Sequence, residues 1–173
     1  MKYFEHESAA TFDEAVSLLK ESPKGKTVVM AGGSDLIGVL KEQILEDYPE
    51  KVVDLKTVRG GEYIKQDGDT IEIGALTKLC DIVKSDLLNE KAPVLSQAAR
   101  SVATPLIRNV ATMGGNICQD VRCWFYRYPH GIGGRMDCMR KGGKECYAVM
   151  GDNRYHSIFG GMKVHTTPCS VQC

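Results

Sequence analysis

Two glycine pairs, far apart in the chain, constrain its fold more than any other feature. Gly32-Gly33 lies within Val28-Val-Met-Ala-Gly-Gly-Ser-Asp-Leu36, and Gly114-Gly115 lies within Ala111-Thr-Met-Gly-Gly-Asn-Ile117. Each pair follows an apolar, strand-like run and is bordered by small hydroxyl or amide side chains. A glycine pair lets the main chain approach a ligand closely and aim successive N–H groups at one anion. Two such loops can hold the two phosphates of a dinucleotide. Neither has the spacing G-x-G-x-x-G or G-x-x-x-x-G-K-[ST], which excludes the Rossmann and P-loop patterns.

The segments around the loops read as alternating helix and strand. Thr11-Phe-Asp-Glu14 has the form of a capping box, opening a helix with Phe12, Ala15, Val16 and Leu19 on one face and an end near Ser22-Pro23. Lys26 to Met30 is a short buried strand, Asp35–Lys41 a short helix and Lys51–Leu55 another strand. Residues 1–57 therefore form a first β-α-β-α-β lobe. In a second lobe, 58–117, Glu62–Lys65 and Thr70–Ala75 flank a turn at Gln66-Asp-Gly-Asp69 and read as a hairpin. Thr77 is placed to cap a helix carrying Leu79, Ile82, Val83 and Leu87. Pro93 suits the first turn of a further helix that Pro105 ends, and Ile107–Val110 leads into the second glycine pair.

Residues 118–173 form a cysteine-rich extension with little periodicity. Six of the seven cysteines lie there: Cys118, Cys123, Cys138, Cys146, Cys169 and Cys173, with Cys80 apart. The N-terminus lacks the apolar stretch of a secretory signal, so the expected compartment is the cytoplasm, where thiols bind metals or clusters more often than they pair. No apolar run approaches the roughly 20 residues that span a bilayer. The 22 basic and 22 acidic residues balance, so no nucleic-acid or membrane-surface partner is indicated.

Taken together, A-G-G-S-D-L, I-R-N-V-A-T-M-G-G-N-I-C and the intervening Ile73-Gly-Ala-Leu-Thr77 resemble the flavin (medium) subunit of the molybdenum hydroxylases. That family includes xanthine, carbon monoxide and nicotinate dehydrogenases and 4-hydroxybenzoyl-CoA reductase. The resemblance implies an α+β, two-lobed FAD-binding fold of the CO dehydrogenase flavoprotein (PCMH/VAO-like) type, here without the third domain. It also implies that Ala31, Gly32, Gly33, Ser34, Asp35 and Leu36 wrap the FAD pyrophosphate, while Thr112, Gly114, Gly115 and Asn116 approach from the other lobe. Backbone N–H groups, with the Ser34 and Thr112 hydroxyls, suit a phosphate. The Asp35 carboxylate would repel one, and capping the following helix is its better role. Arg108 either steadies the second loop or faces the flavin edge. No catalytic triad or general base stands out, as expected where a flavin does the redox chemistry.

The cysteine-rich end resembles members whose flavin subunit carries an extra 4Fe-4S cluster. Cys123, Cys138 and Cys146 match three ligands by that resemblance. The fourth position falls near Tyr155, leaving His156, Cys118 or Cys169 as replacements. The same three thiols with His156 also suit zinc, and free thiols are the remaining alternative. Arg127, Arg135, Arg140, Lys141 and Lys144 are placed to offset the charge of a thiolate-ligated cluster, and Trp124, Phe125, Tyr126 and Tyr128 to pack the loop. The tail Thr167-Pro-Cys-Ser-Val-Gln-Cys173 resembles the opening of a dicluster ferredoxin-like segment, implying a longer natural polypeptide.

The function implied is an electron-transfer component of a multi-subunit oxidoreductase. Its partners would be a molybdopterin large subunit and a 2Fe-2S small subunit, with NAD(P) or a ferredoxin-type protein as acceptor. A zinc-binding interaction module on the same fold is the alternative.

Overall fold

The computed structural model describes residues 1–45, 47–129 and 136–151. Its secondary structure comprises β1 (Glu5–Ser8), α1 (Phe12–Lys20), β2 (Thr27–Met30), α2 (Leu36–Lys41), β3 (Lys51–Asp54), β4 (Ile64–Asp67) and β5 (Thr70–Ile73). Then come α3 (Leu79–Lys84), α4 (Asp86–Lys91), α5 (Pro93–Ser101), α6 (Pro105–Arg108), α7 (Met113–Ile117), α8 (Trp124–Arg127) and α9 (Tyr147–Met150). The described chain divides into two compact units.

The larger unit takes Phe4–Ser34 and Pro49–Cys118. Its parallel sheet has the order β1-β3-β2, with Val52 and Val53 of the central strand fully buried. A strand flanked on both sides needs an apolar centre, and β3 (Lys51-Val-Val-Asp54) supplies it with two valines between charged ends. Thr11 caps α1 by accepting the Glu14 N–H, and the Glu14 carboxylate accepts the Ala10 N–H at 2.7 Å. The buried side of α1 is Ala15 and Leu18, packed with Ala9, Val53, Val58 and Leu76. Phe12, Val16 and Leu19 are partly exposed instead. The helix thus turns a different face to the sheet than the strongest apolar spacing predicts.

The antiparallel hairpin β4–β5 packs Ile64, Ile71 and Ile73 against Leu79, Ile82, Leu88, Ala99 and Ala111 of the helical layer. Two details differ from the sequence expectation. Thr77 does not cap α3; its buried hydroxyl accepts the Tyr63 N–H and donates to the Tyr63 carbonyl, tying the loop after β5 to β4. The expected single helix through Leu87 breaks at Ser85, whose hydroxyl accepts the Leu88 N–H and starts α4. Pro93 does sit in the first turn of α5. Ile107–Val110 is not a strand lead-in: Thr104 caps a helical turn begun by Pro105, which takes in Ile107 and Arg108.

The smaller unit joins Met1–Tyr3 and Asp35–Tyr48 to the described residues from Gln119 onward. Its core is Val39 and Ile44 packed with Val121, Tyr126 and Cys138. An ionic network holds it together. Asp35 sits at the N-cap position of α2, yet its carboxylate makes no capping hydrogen bond. It accepts instead from the Asp120 N–H at 2.8 Å and from the guanidiniums of Arg122 and Arg127. Burial alone would raise the Asp35 pKa; the Asp120 N–H and the two guanidiniums outweigh it and lower the pKa below the ordinary value. The correction to the capping role is physical. Two arginines offer charge-assisted bonds stronger than one helix N–H.

A group whose pKa is depressed by folding stabilises the fold above its unfolded pKa and loses that contribution as pH falls through the folded value. Denaturant unfolding should therefore show stability falling as pH drops below about 4, the usual carboxylate range. The Asp35→Asn variant should lose about 2 kcal/mol at pH 7, the scale of hydrogen bonds to a charged group. Its pH profile should also be flatter than that of the wild type.

Candidate functional site

Both glycine pairs belong to the larger unit, and the first lies against the backbone of Val110 and Ala111, just ahead of the second. A Cβ built on Gly32 would lie 1.9 Å from the Val110 carbonyl oxygen, so only glycine permits this approach. Gly33 follows with φ +72°, a left-handed conformation that side chains disfavour. Ala31 to Gly33 are part-buried and Ser34 is exposed. Among the described residues nothing accepts a hydrogen bond from the N–H groups of Gly32, Gly33 or Ser34. Three consecutive unpartnered amides beside a glycine in left-handed backbone make a donor set for an anion.

The second pair is built otherwise. Gly114 and Gly115 lie within α7, whose N-cap is the buried Thr112. Their amides are engaged: Met113 N–H donates to Thr77 O, Gly114 N–H to Ala75 O, Gly115 N–H to the Thr112 hydroxyl and Asn116 N–H to Thr112 O. A Cβ on Gly114 would meet the Ala75 carbonyl oxygen at 2.9 Å. This pair lets α7 lie against the Ile73–Thr77 segment rather than offering main-chain donors. What Thr112 retains is its hydroxyl proton, since the oxygen already accepts from Gly115. Sequence reasoning grouped Ile73-Gly-Ala-Leu-Thr77 with the glycine pairs but had no means of finding Ala75 and Val110 as their contacts.

Arg108 steadies the region from behind. Its guanidinium donates to the carbonyls of Val102 and Ala103, at 2.6 and 3.3 Å, where the chain leaves α5 and Ala103 adopts φ +45°. Asp35 and Leu36, expected alongside the loop, fall in the smaller unit with the ionic network.

The smaller unit holds a second feature. Cys123, Cys138 and Cys146 all line one small cavity, together with Val121, Phe125 and Tyr126 among others. Cys138 is buried and the other two are partly so. Among the described residues, no group of three His, Cys, Asp or Glu side chains has an arrangement that would hold a metal ion. Cys118, exposed at the end of α7, belongs to the larger unit. His156 and Cys169 lie outside the described residues, as do Arg135 and the tail ending at Cys173. Two of the cations expected to offset cluster charge have carboxylate partners: Arg127 pairs with Asp35 and Arg140 with Asp120. Tyr126 is buried and Phe125 lies near the Tyr147 ring, as packing residues should, whereas Trp124 is half exposed. Burial and the Asp120 carboxylate hold the Tyr126 phenol far above its ordinary pKa, so it stays a hydrogen-bond donor.

Comparison with known proteins gives this geometry a context. Residues 2–123 match the family described as the FAD binding domain in molybdopterin dehydrogenase. The chain is 34% identical over 117 residues to the nicotinate dehydrogenase FAD-subunit of Eubacterium barkeri, covering 68% of this chain and 39% of that protein. It is 29% identical over 161 residues to the aldehyde oxidoreductase FAD-binding subunit PaoB of Escherichia coli K12, covering 92% of this chain and 48% of that protein. That match runs on through the cysteine-bearing segment. Among solved structures, carbon monoxide dehydrogenase from Hydrogenophaga pseudoflava superposes with a TM-score of 0.64 at 31% identity, over 67% of this chain and 39% of that one. The chain thus spans less than half the length of these relatives. No helix among the described residues is long and apolar enough to cross a membrane. The α+β architecture, the family match and the shared fold agree: the chain belongs to the FAD-binding domain family of the molybdopterin dehydrogenases.

Proposed function

We propose that this chain is the FAD-holding part of an electron-transfer subunit in a molybdenum-hydroxylase-type oxidoreductase. The observation that carries the reading is the row of unpartnered amides at Gly32, Gly33 and Ser34, set against Val110 and two residues short of the Thr112 cap. In this reading the three amides and the Ser34 hydroxyl bind the diphosphate of FAD, flanked by Ala31, Asp35 and Leu36. Thr112 contributes its hydroxyl and Asn116 its side-chain amide, while Gly114 and Gly115 keep α7 close enough for both to reach. Backbone donors suit this task because they bind an anion without the entropy cost of ordering long cationic side chains. Bound FAD supplies the redox chemistry; the chain binds and orients it.

The cysteine cavity extends the proposal. In this reading Cys123, Cys138 and Cys146, which line one cavity, supply three thiolates for a 4Fe-4S cluster, and His156 or Cys169, both outside the described residues, supplies the fourth ligand. Their shared cavity supports this. In the assembly, a molybdopterin large subunit and a 2Fe-2S small subunit are the electron-donating partners. The acceptor is NAD(P) or a ferredoxin-type protein, either separate or continuing from Cys173, and the setting is the cytoplasm.

Anaerobically purified protein should show the two flavin absorption bands and retain FAD through gel filtration. A folded chain that neither carries nor takes up FAD would contradict the reading. Gly33→Val should raise the FAD dissociation constant at least about tenfold, equivalent to about 1.4 kcal/mol. Gly38→Ala in α2, where a Cβ meets nothing within 4 Å, should leave FAD binding intact and stabilise the fold by about 0.5–1 kcal/mol. Metal analysis decides the cavity. Iron with acid-labile sulfide, lost on Cys138→Ser, is expected, whereas stoichiometric zinc without iron would favour the interaction-module alternative.

A further inference from the structure

We propose that Arg108 is a positioning residue for FAD: it holds Ala103 in left-handed backbone and thereby sets where the Val110 carbonyl meets Gly32. The inference rests on reading the Gly32–Ser34 turn as the FAD diphosphate site. Every residue in it belongs to the larger unit.

The corner between α5 and α6 is built against local preference. Val102, the C-cap of α5, is extended, Ala103 adopts φ +45°, and Thr104, the N-cap of α6, is extended again. A left-handed residue just past a helix end is ordinarily glycine, because a β-carbon is crowded there. In the larger unit Ala103 is the one described residue other than glycine with a positive φ. Such a conformation persists where the surroundings impose it. Arg108 does so: its guanidinium donates to the Val102 and Ala103 carbonyls at 2.6 and 3.3 Å. The last residue of α6 thus clasps the corner that precedes the helix.

That corner sets the approach to the glycine contact. The Thr104 hydroxyl accepts the Ile107 N–H at 3.4 Å, and its carbonyl accepts the Arg108 N–H at 3.0 Å. The Ile107 carbonyl in turn accepts the N–H groups of Val110 and Ala111, at 3.1 and 2.8 Å. A continuous run of helical hydrogen bonds therefore carries the corner's direction to Val110. There the tolerance is small, since a Cβ on Gly32 would lie 1.9 Å from the Val110 oxygen. A carbonyl moved inward would collide with Gly32, and one withdrawn would leave the turn and its three open amides without that support. Arg108 acts on the cofactor through backbone position, not through its charge.

The test measures FAD affinity in the full chain for Arg108→Met, Ala103→Gly and the double variant, with amide hydrogen exchange of the FAD-free proteins and thermal melting alongside. Arg108→Met should weaken FAD about tenfold, the scale of one released backbone strain, and speed exchange at Val110 and Ala111. Ala103→Gly alone should stay within about twofold of the wild type. The double variant should recover to within about threefold of the wild type, because glycine takes the left-handed conformation without a clasp. Neither a contact between Arg108 and FAD nor a loss of general stability would be rescued by removing one methyl group. Arg108→Lys, which keeps the charge but loses the planar fork, is the milder variant should Arg108→Met fold poorly; it should weaken FAD by a few-fold and be rescued likewise. Wild-type affinity in Arg108→Met or Arg108→Lys would overturn the proposal, and so would a loss that Ala103→Gly leaves unchanged. A wild-type chain that binds no FAD would sink the diphosphate reading and the cofactor role with it, whereas unchanged exchange at Val110 and Ala111 in Arg108→Met would sink the clasp itself.

Discussion

The close approach of Gly32 to the Val110 carbonyl is the contact on which the rest of the larger unit's site depends. No side chain fits there, so the first glycine turn and the approach to α7 meet backbone to backbone. The second pair works alike, with Gly114 against Ala75. These contacts bring residues distant in sequence into one neighbourhood while leaving the three amides of the first turn unspent. Part-buried amides that find no protein partner among the described residues lose solvent without gaining a hydrogen bond, so the ligand-free turn is less stable than one with its donors satisfied. That open row of donors is the physical argument for a ligand.

The glycine pairs are alike in sequence and different in role. Two loops that each aim N–H groups at a phosphate were expected; only the first has donors to spare. In α7 the helix start, the Thr112 cap and the neighbouring Ile73–Thr77 segment consume the amides in turn. Helix N-termini commonly offer free N–H groups, but a buried cap and the adjacent turn at Ala75–Thr77 remove that freedom. Division of labour replaces symmetry: one pair presents donors, the other sets spacing.

Much of the fold was legible because it is written locally. The Thr11–Glu14 box, the apolar β2 and β3 and the hairpin around Asp67–Thr70 each announce themselves within a few residues. What escaped were choices settled by distant partners. Thr77 and Ser85 both look like caps, and only packing against Tyr63 decides which one is used as such. Phe12, Val16 and Leu19 extend the more obvious apolar stripe around Ala15, yet α1 buries Ala15 with Leu18, against Ala9, Val53, Val58 and Leu76. Asp35 reads as a cap until Arg122 and Arg127, far along the chain, are seen to take it. The convergence of Cys123, Cys138 and Cys146 on one cavity is likewise a tertiary fact, although their spacing raised the question.

The account's central claim is that the first turn, and not the second, supplies main-chain donors to the diphosphate. Residue-resolved amide hydrogen exchange with and without FAD tests it most directly. Gly32, Gly33 and Ser34 should pass from fast to strongly protected exchange when FAD is added, while Met113 to Asn116, already hydrogen-bonded, should change little. Protection gained at Met113 to Asn116 with none at Gly32 to Ser34 would contradict it.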